Sequence, residues 1–105
     1  MKRGEVWWAS SLDKRRPVVI IQANFFNESQ LNSVVVAAIT SNLRLTDMPG
    51  NVRLTSRDSG LSKASVVNVT QLATIRRERL TDCVRALPPQ VMSHIDEGVK
   101  LVLGL

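Results

Sequence analysis

Residue types that build many active sites are scarce in this chain of 105 residues, which has one cysteine, one histidine and no tyrosine. A single cysteine, Cys83, excludes an internal disulfide bond and a zinc site made of cysteines. No set of histidine, cysteine, aspartate and glutamate has the spacing of metal ligands, so the sequence predicts no metal and no cofactor. Cys83 lies in an alternating, strand-like run, where we expect a small buried hydrophobic residue.

Long apolar segments are also missing from the sequence. The longest uninterrupted apolar run, from Val34 to Ile39, has six residues, whereas a helix that crosses a bilayer needs about 20. The basic start Met1-Lys2-Arg3 is followed by Gly4-Glu5 and not by the apolar segment of a signal peptide. We therefore expect a cytoplasmic protein that makes no membrane contact.

Acidic residues are outnumbered, since nine Asp and Glu stand against 14 Lys and Arg, which gives a net charge of +5. Arginine dominates the two basic clusters, Lys14-Arg15-Arg16 and Arg76-Arg77-Glu78-Arg79. An excess of positive charge favours polyanionic partners, nucleic acid first. Charge alone is weak evidence, because many basic proteins use it only for solubility.

Six short runs with β-type patterning predict strands, and turn signals separate them. The runs are Glu5–Ala9, Pro17–Ala23, Ser33–Thr40, Asn51–Thr55, Ser65–Thr70 and Asp82–Ala86. Short strands at this spacing predict a mainly β fold, either a small antiparallel barrel or a sheet that curls on itself. The length suits one core, so we expect a single domain over residues 1–105.

The end of the chain has a helical period. After Pro88-Pro89, the residues Val91, Ile95, Val99 and Val102 recur at spacings of four, four and three, which predicts an amphipathic helix laid on the sheet. We interpret His94, beside this stripe, as a solvated or packed side chain and not as a catalytic base. A short helical turn is expected at Arg77–Leu80.

Two predicted strands carry polar groups that suit a phosphate. Arg16 enters the run Pro17 to Gln22, and Thr40-Ser41 leaves the run Val34 to Ile39. A pairing of these runs places a cation and two hydroxyl groups together on the sheet. Because a guanidinium fits two phosphate oxygens and stays charged at any working pH, we predict a phosphate site here.

Trp7 and Trp8 are adjacent in the first predicted strand, so their side chains point to opposite faces of the sheet. We expect one in the core, and the other is available for base stacking or for a dimer interface.

The same runs belong to a series of blocks that resembles the MazF/PemK family of type II toxin–antitoxin systems. In chain order the blocks are Lys2–Trp7, Arg16–Gln22, Val35–Thr40, Pro49–Val52, Ser65–Val67, Gln71–Ile75 and Leu103–Leu105. No single block is specific, but their order and spacing extend over nearly the whole chain. The resemblance implies an SH3-like barrel of the CcdB/PemK/MazF type with a C-terminal α-helix, an α+β fold that is mainly β. It also implies a homodimer and a cytoplasmic, MazE-like antitoxin.

The resemblance further implies metal-independent, sequence-specific cleavage of single-stranded RNA, usually mRNA and sometimes rRNA or tRNA. Arg16 and Thr40 match the family's catalytic arginine and threonine. Arg16 is then expected to bind the phosphate and stabilise the transition state, and Thr40 to position the phosphate or the 2′-OH. We assign RNA contacts to Ser41, Gln71 and Arg15.

Two departures from the family pattern concern proton transfer. Asn68 and Thr70 stand where some members carry an Arg-x-Asp pair for acid–base work, and we assign both to RNA binding. The loop Ser10–Arg15 is shorter than usual and has no histidine. The group that transfers protons is therefore left open between water, Thr40 and another side chain.

Two other functions stay open. A CcdB-like gyrase poison shares the expected fold, but the tail Leu103-Gly104-Leu105 lacks the tryptophan on which CcdB depends. A non-catalytic nucleic-acid-binding barrel agrees with the basic charge, although the presence of both Arg16 and Thr40 argues against it. RNA cleavage that survives EDTA separates the ribonuclease from both.

Overall fold

One six-stranded antiparallel sheet forms the frame of the protein in the computed structural model, which describes residues 1–105. Its strands lie side by side in the order β4-β5-β3-β2-β1-β6. Their bounds are β1 Glu5–Ser11, β2 Lys14–Ile20, β3 Ser33–Thr40, β4 Val52–Leu54, β5 Ser65–Arg76 and β6 Leu80–Ala86. The prediction of a curled, mainly β architecture is confirmed.

Three helices and two 3₁₀ turns connect or cover the strands. The helices are α1 Asn24–Asn27, α2 Ser56–Ser59 and α3 Pro89–Leu103, and the 3₁₀ turns are Leu43–Asp47 and Arg77–Arg79. α3 begins at Pro89, where a missing N–H is harmless, and ends at Gly104, whose φ of 71° suits glycine. None of these helices is long and apolar enough to cross a membrane.

Two strands are longer than the sequence indicates. β5 continues past Thr70 to Arg76. Over this part it pairs with β3 alone and most of its residues are exposed, so the sequence has no long apolar run that would mark the extension. β2 begins at Lys14, since Ser11 pairs with Lys14 across a tight hairpin whose tip residue Leu12 has a φ of 56°. The expected loop Ser10–Arg15 is therefore mostly paired strand.

Both faces of the sheet carry a buried cluster, because alternate residues of each strand point to opposite sides. The larger cluster, under α3, comprises Val6, Val19, Ala37, Ile39, Leu54, Leu61, Val67, Val69, Leu87, Met92 and Ile95. The smaller cluster comprises Ala9, Val18, Ile20, Val34 and Val36. Trp8 packs against the larger cluster and Trp7 against the smaller, which confirms their opposite orientation.

α3 lies closely on the loop before β4. A Cβ atom on Gly98 would come within 2.0 Å of the carbonyl oxygen of Gly50, so only glycine allows this approach. Met92, Ile95 and Gly98 are the buried residues of α3. The predicted stripe is wrong at its last member, because the final turn of α3 is exposed, including Val102.

Cys83 is exposed on β6, an edge strand, so the prediction that it is buried is wrong. An alternating pattern does not reveal whether a strand is central or at an edge. Although Cys83 is exposed, the part of its thiol that the protein shields from water raises the pKa of this group. The nearby Glu5 carboxylate raises the pKa further, and the N-terminal amine lowers it by less.

Candidate active site

Arg16 and Thr40 lie together at one end of the paired strands β2 and β3. Val18 is paired with Ala38. Arg16 lies two residues before Val18, and Thr40 lies two residues after Ala38, so in this antiparallel pair both are displaced in the same direction and lie on the same face. Both line a cleft of about 320 Å³, and Ser41 lines it too. The predicted meeting of one cation with two hydroxyl groups is observed.

The two adjacent arginines differ in their surroundings. Arg15 bonds to Asp82, donates to Thr81 Oγ1 at 3.3 Å and lies 5.2 Å from the centroid of the Trp8 ring. The Arg16 side chain is exposed and takes part in no hydrogen bond or ion pair within the chain. Arg16 is therefore the arginine whose full set of donors is free for an anion, whereas the charge of Arg15 is already paired.

The Thr40 side chain is held by the turn that follows β3. Its Oγ1 accepts a hydrogen bond from the backbone N–H of Asn42 at 3.2 Å. This bond occupies a lone pair of the oxygen and leaves the hydroxyl proton free to be donated. Thr40 can therefore donate a hydrogen bond to an anion that binds in the cleft.

A bulge in β5 forms a second wall of the site. Ala37 lies opposite Leu72 but the next residue, Ala38, lies opposite Asn68. The stretch 69–71 of β5 is therefore excluded from the ladder with β3. Such bulges re-aim side chains and are frequent beside active sites.

The bulge brings two predicted RNA-binding residues to the site. Asn68 and Gln71 line a second cleft of about 510 Å³ together with Arg16, Thr40 and Leu45. Gln71 is exposed, so the carbonyl oxygen and the NH₂ group of its side-chain amide are both accessible. Asn68 is only 6% exposed.

Thr70 was predicted to bind RNA, but the structure places it outside the site. It lines none of the clefts that contain Arg16, and its N–H and hydroxyl both donate to Asn68 Oδ1, at 3.2 and 2.7 Å. Thr70 therefore fixes the Asn68 amide, whose Nδ2 donates no hydrogen bond to the chain.

Asn51 holds the second wall in position. Its Oδ1 accepts the backbone N–H of Val69, in the bulge, at 2.9 Å, and its Nδ2 donates to the carbonyl oxygen of Leu45 at 2.9 Å. One side chain thus ties the bulge to the 3₁₀ turn that carries Leu45. Sequence reasoning placed Asn51 in a strand and gave no signal of this role.

A third groove of about 490 Å³ extends from Arg16 and Gln71 along the smaller buried cluster. Its apolar floor comprises Val18, Val36, Ala38, Ala73 and Ile75. Arg76 and Arg79 also line it, and Arg79 donates to the carbonyl oxygen of Ser10 on the β1 side. Three arginines therefore border an apolar floor, an arrangement that suits a nucleic-acid strand.

Acidic residues are absent from all three clefts that contain Arg16, and so are histidine and cysteine. Elsewhere in the chain, His, Cys, Asp and Glu form no group of three or more that would hold a metal ion. The single histidine, His94, lines a separate cavity with Arg53 and Glu97. The site is thus cationic, with hydroxyl and amide groups as its neutral polar members.

Lys63 is a cation of the 320 Å³ cleft that sequence reasoning missed. It lies in the loop between α2 and β5, within Ser62-Lys63-Ala64, a stretch with no periodicity or motif. Only the folding of this loop against the ends of β2 and β3 brings it to Arg16, so no signal in the sequence could have found it.

A small curled β-sheet with a cationic groove at the ends of its central strands is an arrangement that suits a polyanionic ligand. Residues 2–103 match the family described as PemK-like, MazF-like toxin of type II toxin–antitoxin system. The chain belongs to this family, as its sequence blocks indicated.

Named relatives extend over the whole chain. Endoribonuclease MazF6 of Mycobacterium tuberculosis is 42% identical, with 100% of this chain and 98% of the relative covered. Endoribonuclease EndoA of Bacillus subtilis is 31% identical, with 100% and 96% covered.

Solved structures agree with the fold. An endoribonuclease in complex with its cognate antitoxin from a mycobacterial species superposes with a TM-score of 0.87 at 25% identity, covering 100% of this chain and 96% of that one. The Mycobacterium tuberculosis toxin MazF-mt6 superposes with a TM-score of 0.84 at 27% identity, covering 96% and 97%.

Proposed function

We propose that this protein is a metal-independent endoribonuclease toxin that cuts single-stranded RNA at selected sequences and thereby inhibits translation and growth. The observation that carries the proposal is the meeting of an unpaired arginine, Arg16, with the hydroxyl donor Thr40 in a cleft without acidic residues. Membership of the MazF/PemK family and relatives named endoribonucleases support it.

In the proposed reaction the RNA supplies its own nucleophile. The 2′-oxygen bonds to the adjacent phosphorus as the bond from phosphorus to the 5′-oxygen breaks, which leaves a 2′,3′-cyclic phosphate and a 5′-OH. Arg16 binds two non-bridging oxygens and stabilises the extra charge of the five-coordinate phosphorus. Thr40 donates its hydroxyl proton in a hydrogen bond to the same phosphate and does not act as a base.

RNA selection is assigned to the second wall and the strand end. Gln71 offers both a donor and an acceptor to a base edge, and Asn68 offers its free Nδ2. Ser41 adds a hydroxyl contact beside Thr40. Arg15 contributes to RNA binding from its position over the Trp8 ring. Thr70 contributes to RNA selection indirectly, because its hydrogen bond fixes the Asn68 amide.

The partners we propose are single-stranded RNA, a second copy of the chain and a MazE-like antitoxin, all met in the cytoplasm by one domain. A solved relative is described as bound to its cognate antitoxin. Light scattering at micromolar concentration is expected to give the mass of a dimer. An acidic, partly hydrophobic antitoxin segment is expected to slow RNA cleavage by occupying the basic groove.

The direct test incubates the purified protein with a long single-stranded RNA in EDTA and maps the fragment ends, with Arg16→Ala alongside. Discrete cuts with cyclic phosphate ends that disappear in the variant support the proposal. Intact RNA across diverse substrates overturns it and directs attention to a gyrase poison or to a barrel that only binds nucleic acid.

A further inference from the structure

The proposed cleavage requires a proton for the departing 5′-oxygen, and the site holds few groups that can supply one. Carboxyl, imidazole and thiol groups are all absent from the three clefts that contain Arg16. The acids that remain are hydroxyl groups, guanidinium groups and one ammonium group, that of Lys63. An ammonium releases a proton far more readily than a guanidinium or an aliphatic hydroxyl.

The loop that carries Lys63 is anchored against the core. Leu61 is 8% exposed, and its N–H donates to the hydroxyl of the fully buried Ser59 at 3.0 Å. On the other side of Lys63, the buried Ser65 donates its hydroxyl to the Lys63 carbonyl oxygen at 3.1 Å. The backbone of Lys63 is therefore held on both sides, although its side chain is exposed.

The ammonium group has no competing partner. Lys63 takes part in none of the ion pairs of the chain, which join Arg3 to Asp96, Arg15 to Asp82 and Arg76 to Glu78. It lies in the same cleft as Arg16, Thr40 and Ser41. A phosphate held by Arg16 and Thr40 thus has a free ammonium on the β5 side of the cleft.

We propose that Lys63 is the general acid of the reaction, an inference that rests on the proposed ribonuclease function. As the bond between the 2′-oxygen and phosphorus forms, the bond from phosphorus to the 5′-oxygen breaks, and its electron pair stays on that oxygen. The Lys63 ammonium gives one proton to it and produces the 5′-OH. The proton of the 2′-OH passes to water, and the neutral amine regains a proton from solvent.

A substrate with sulfur in place of the bridging 5′-oxygen tests this role, because a thiolate leaves without being protonated. The variants are Lys63→Met, which removes the charge, and Lys63→Arg, which keeps a charge but holds its proton. We expect both to cut an all-oxygen RNA about 100-fold more slowly than the unmodified protein. The sulfur-bridged RNA is expected to restore both to within a few-fold.

Two matched variants sharpen the experiment. Lys100→Met removes an exposed lysine on α3 that lines none of the clefts containing Arg16, and it is expected to cut both substrates at the normal rate. Arg16→Ala is expected to be slow on both, because stabilisation of the phosphorane does not depend on the leaving atom. Circular dichroism checks that every variant is folded.

The outcomes separate the two proposals. If the unmodified protein cuts neither substrate, the ribonuclease function itself fails. If the protein cuts RNA and Lys63→Met cuts it equally fast, only the role of Lys63 is overturned. A slow Lys63→Met that sulfur does not rescue also overturns the general acid, since it then indicates binding or structural support.

Discussion

The two walls of the Arg16 groove are built in different ways. The wall that carries Arg16 and Thr40 lies just beyond the ladder between β2 and β3. Both residues are themselves paired, Arg16 with Ala9 and Thr40 with Val66, so backbone pairing sets the geometry of this wall. The wall that carries Asn68 and Gln71 leaves the ladder at a bulge and is tied down by Asn51. The first wall is suited to chemistry, which needs fixed geometry, and the second to sequence selection, which varies with individual side chains.

Arg16→Ala removes the guanidinium of the first wall, and it is the change from which we expect the largest effect. Loss of a preorganised donor to the transition state typically costs about 10²- to 10³-fold in rate. Because the Arg16 side chain is exposed and makes no hydrogen bond or ion pair, the melting temperature should stay unchanged. Single-turnover cleavage and a thermal melt measure the two quantities.

Arg15→Ala is the matched control for that comparison. Its charge is paired with Asp82 and its side chain lies over Trp8, so we expect only a small loss of rate. Equal losses in the two variants would mean that the local positive charge matters and the position of the guanidinium does not.

Thr40→Val keeps the shape of the side chain and removes the hydroxyl from the first wall. A hydrogen bond to a charged group contributes roughly 1.5–3 kcal/mol, which corresponds to about a tenfold to 100-fold slower cleavage. Thr40→Ser retains the hydroxyl and is expected to recover most of the rate. If Thr40→Val cut RNA at the normal rate, the Thr40 hydroxyl would have no part in the reaction and would serve only to accept the hydrogen bond from the N–H of Asn42.

Asn51→Ala removes the side chain that ties the second wall in place. It leaves the N–H of Val69 without a partner, while the carbonyl of Leu45 keeps only its bond from the N–H of Met48. For this we expect a loss of about 1–3 kcal/mol in the free energy of unfolding. Cleavage at the preferred sequence should weaken through KM more than through kcat, because Arg16 and Thr40 stay in position.

Asn51→Asp is the control for the separate hydrogen bonds. It retains the acceptor for Val69 but loses the donor to Leu45, so its stability should fall between those of the parent and Asn51→Ala. Denaturant unfolding measures all three proteins. A drop in kcat alone would show that the second wall takes part in the chemistry.

Gln71→Ala is expected to have the smallest effect on rate and to change mainly the choice of cut site. One good amide contact to a base provides about 1–3 kcal/mol of discrimination. Sequencing of fragment ends from a mixed RNA pool should show a relaxed preference at one position. An unchanged cut pattern would remove Gln71 from base recognition.

The first wall and most of the fold could be predicted from the sequence. Apolar runs bounded by turn residues marked the strands, and the polar residues at the ends of two of these runs marked Arg16, Thr40 and Ser41. Such patterns are local, and the antiparallel pairing of β2 with β3 turns them directly into a site.

The second wall depends on contacts between distant segments. Only the family resemblance indicated Asn68 and Gln71, and no local pattern in the sequence marked the bulge that brings them to the site. The bulge becomes visible only when β3 and β5 are paired, and the roles of Asn51 and Lys63 follow from where their loops fold. Cys83 was misplaced for a related reason, because the position of β6 at the sheet edge is a property of the whole sheet.

The most direct test of the division between the two walls is single-turnover cleavage of one defined RNA pool in EDTA, at saturating protein, by Arg16→Ala and Gln71→Ala. The account predicts that Arg16→Ala loses cleavage at every site. It predicts that Gln71→Ala cuts at close to the normal rate constant but at a broader set of sequences. Normal cleavage by Arg16→Ala would contradict the account.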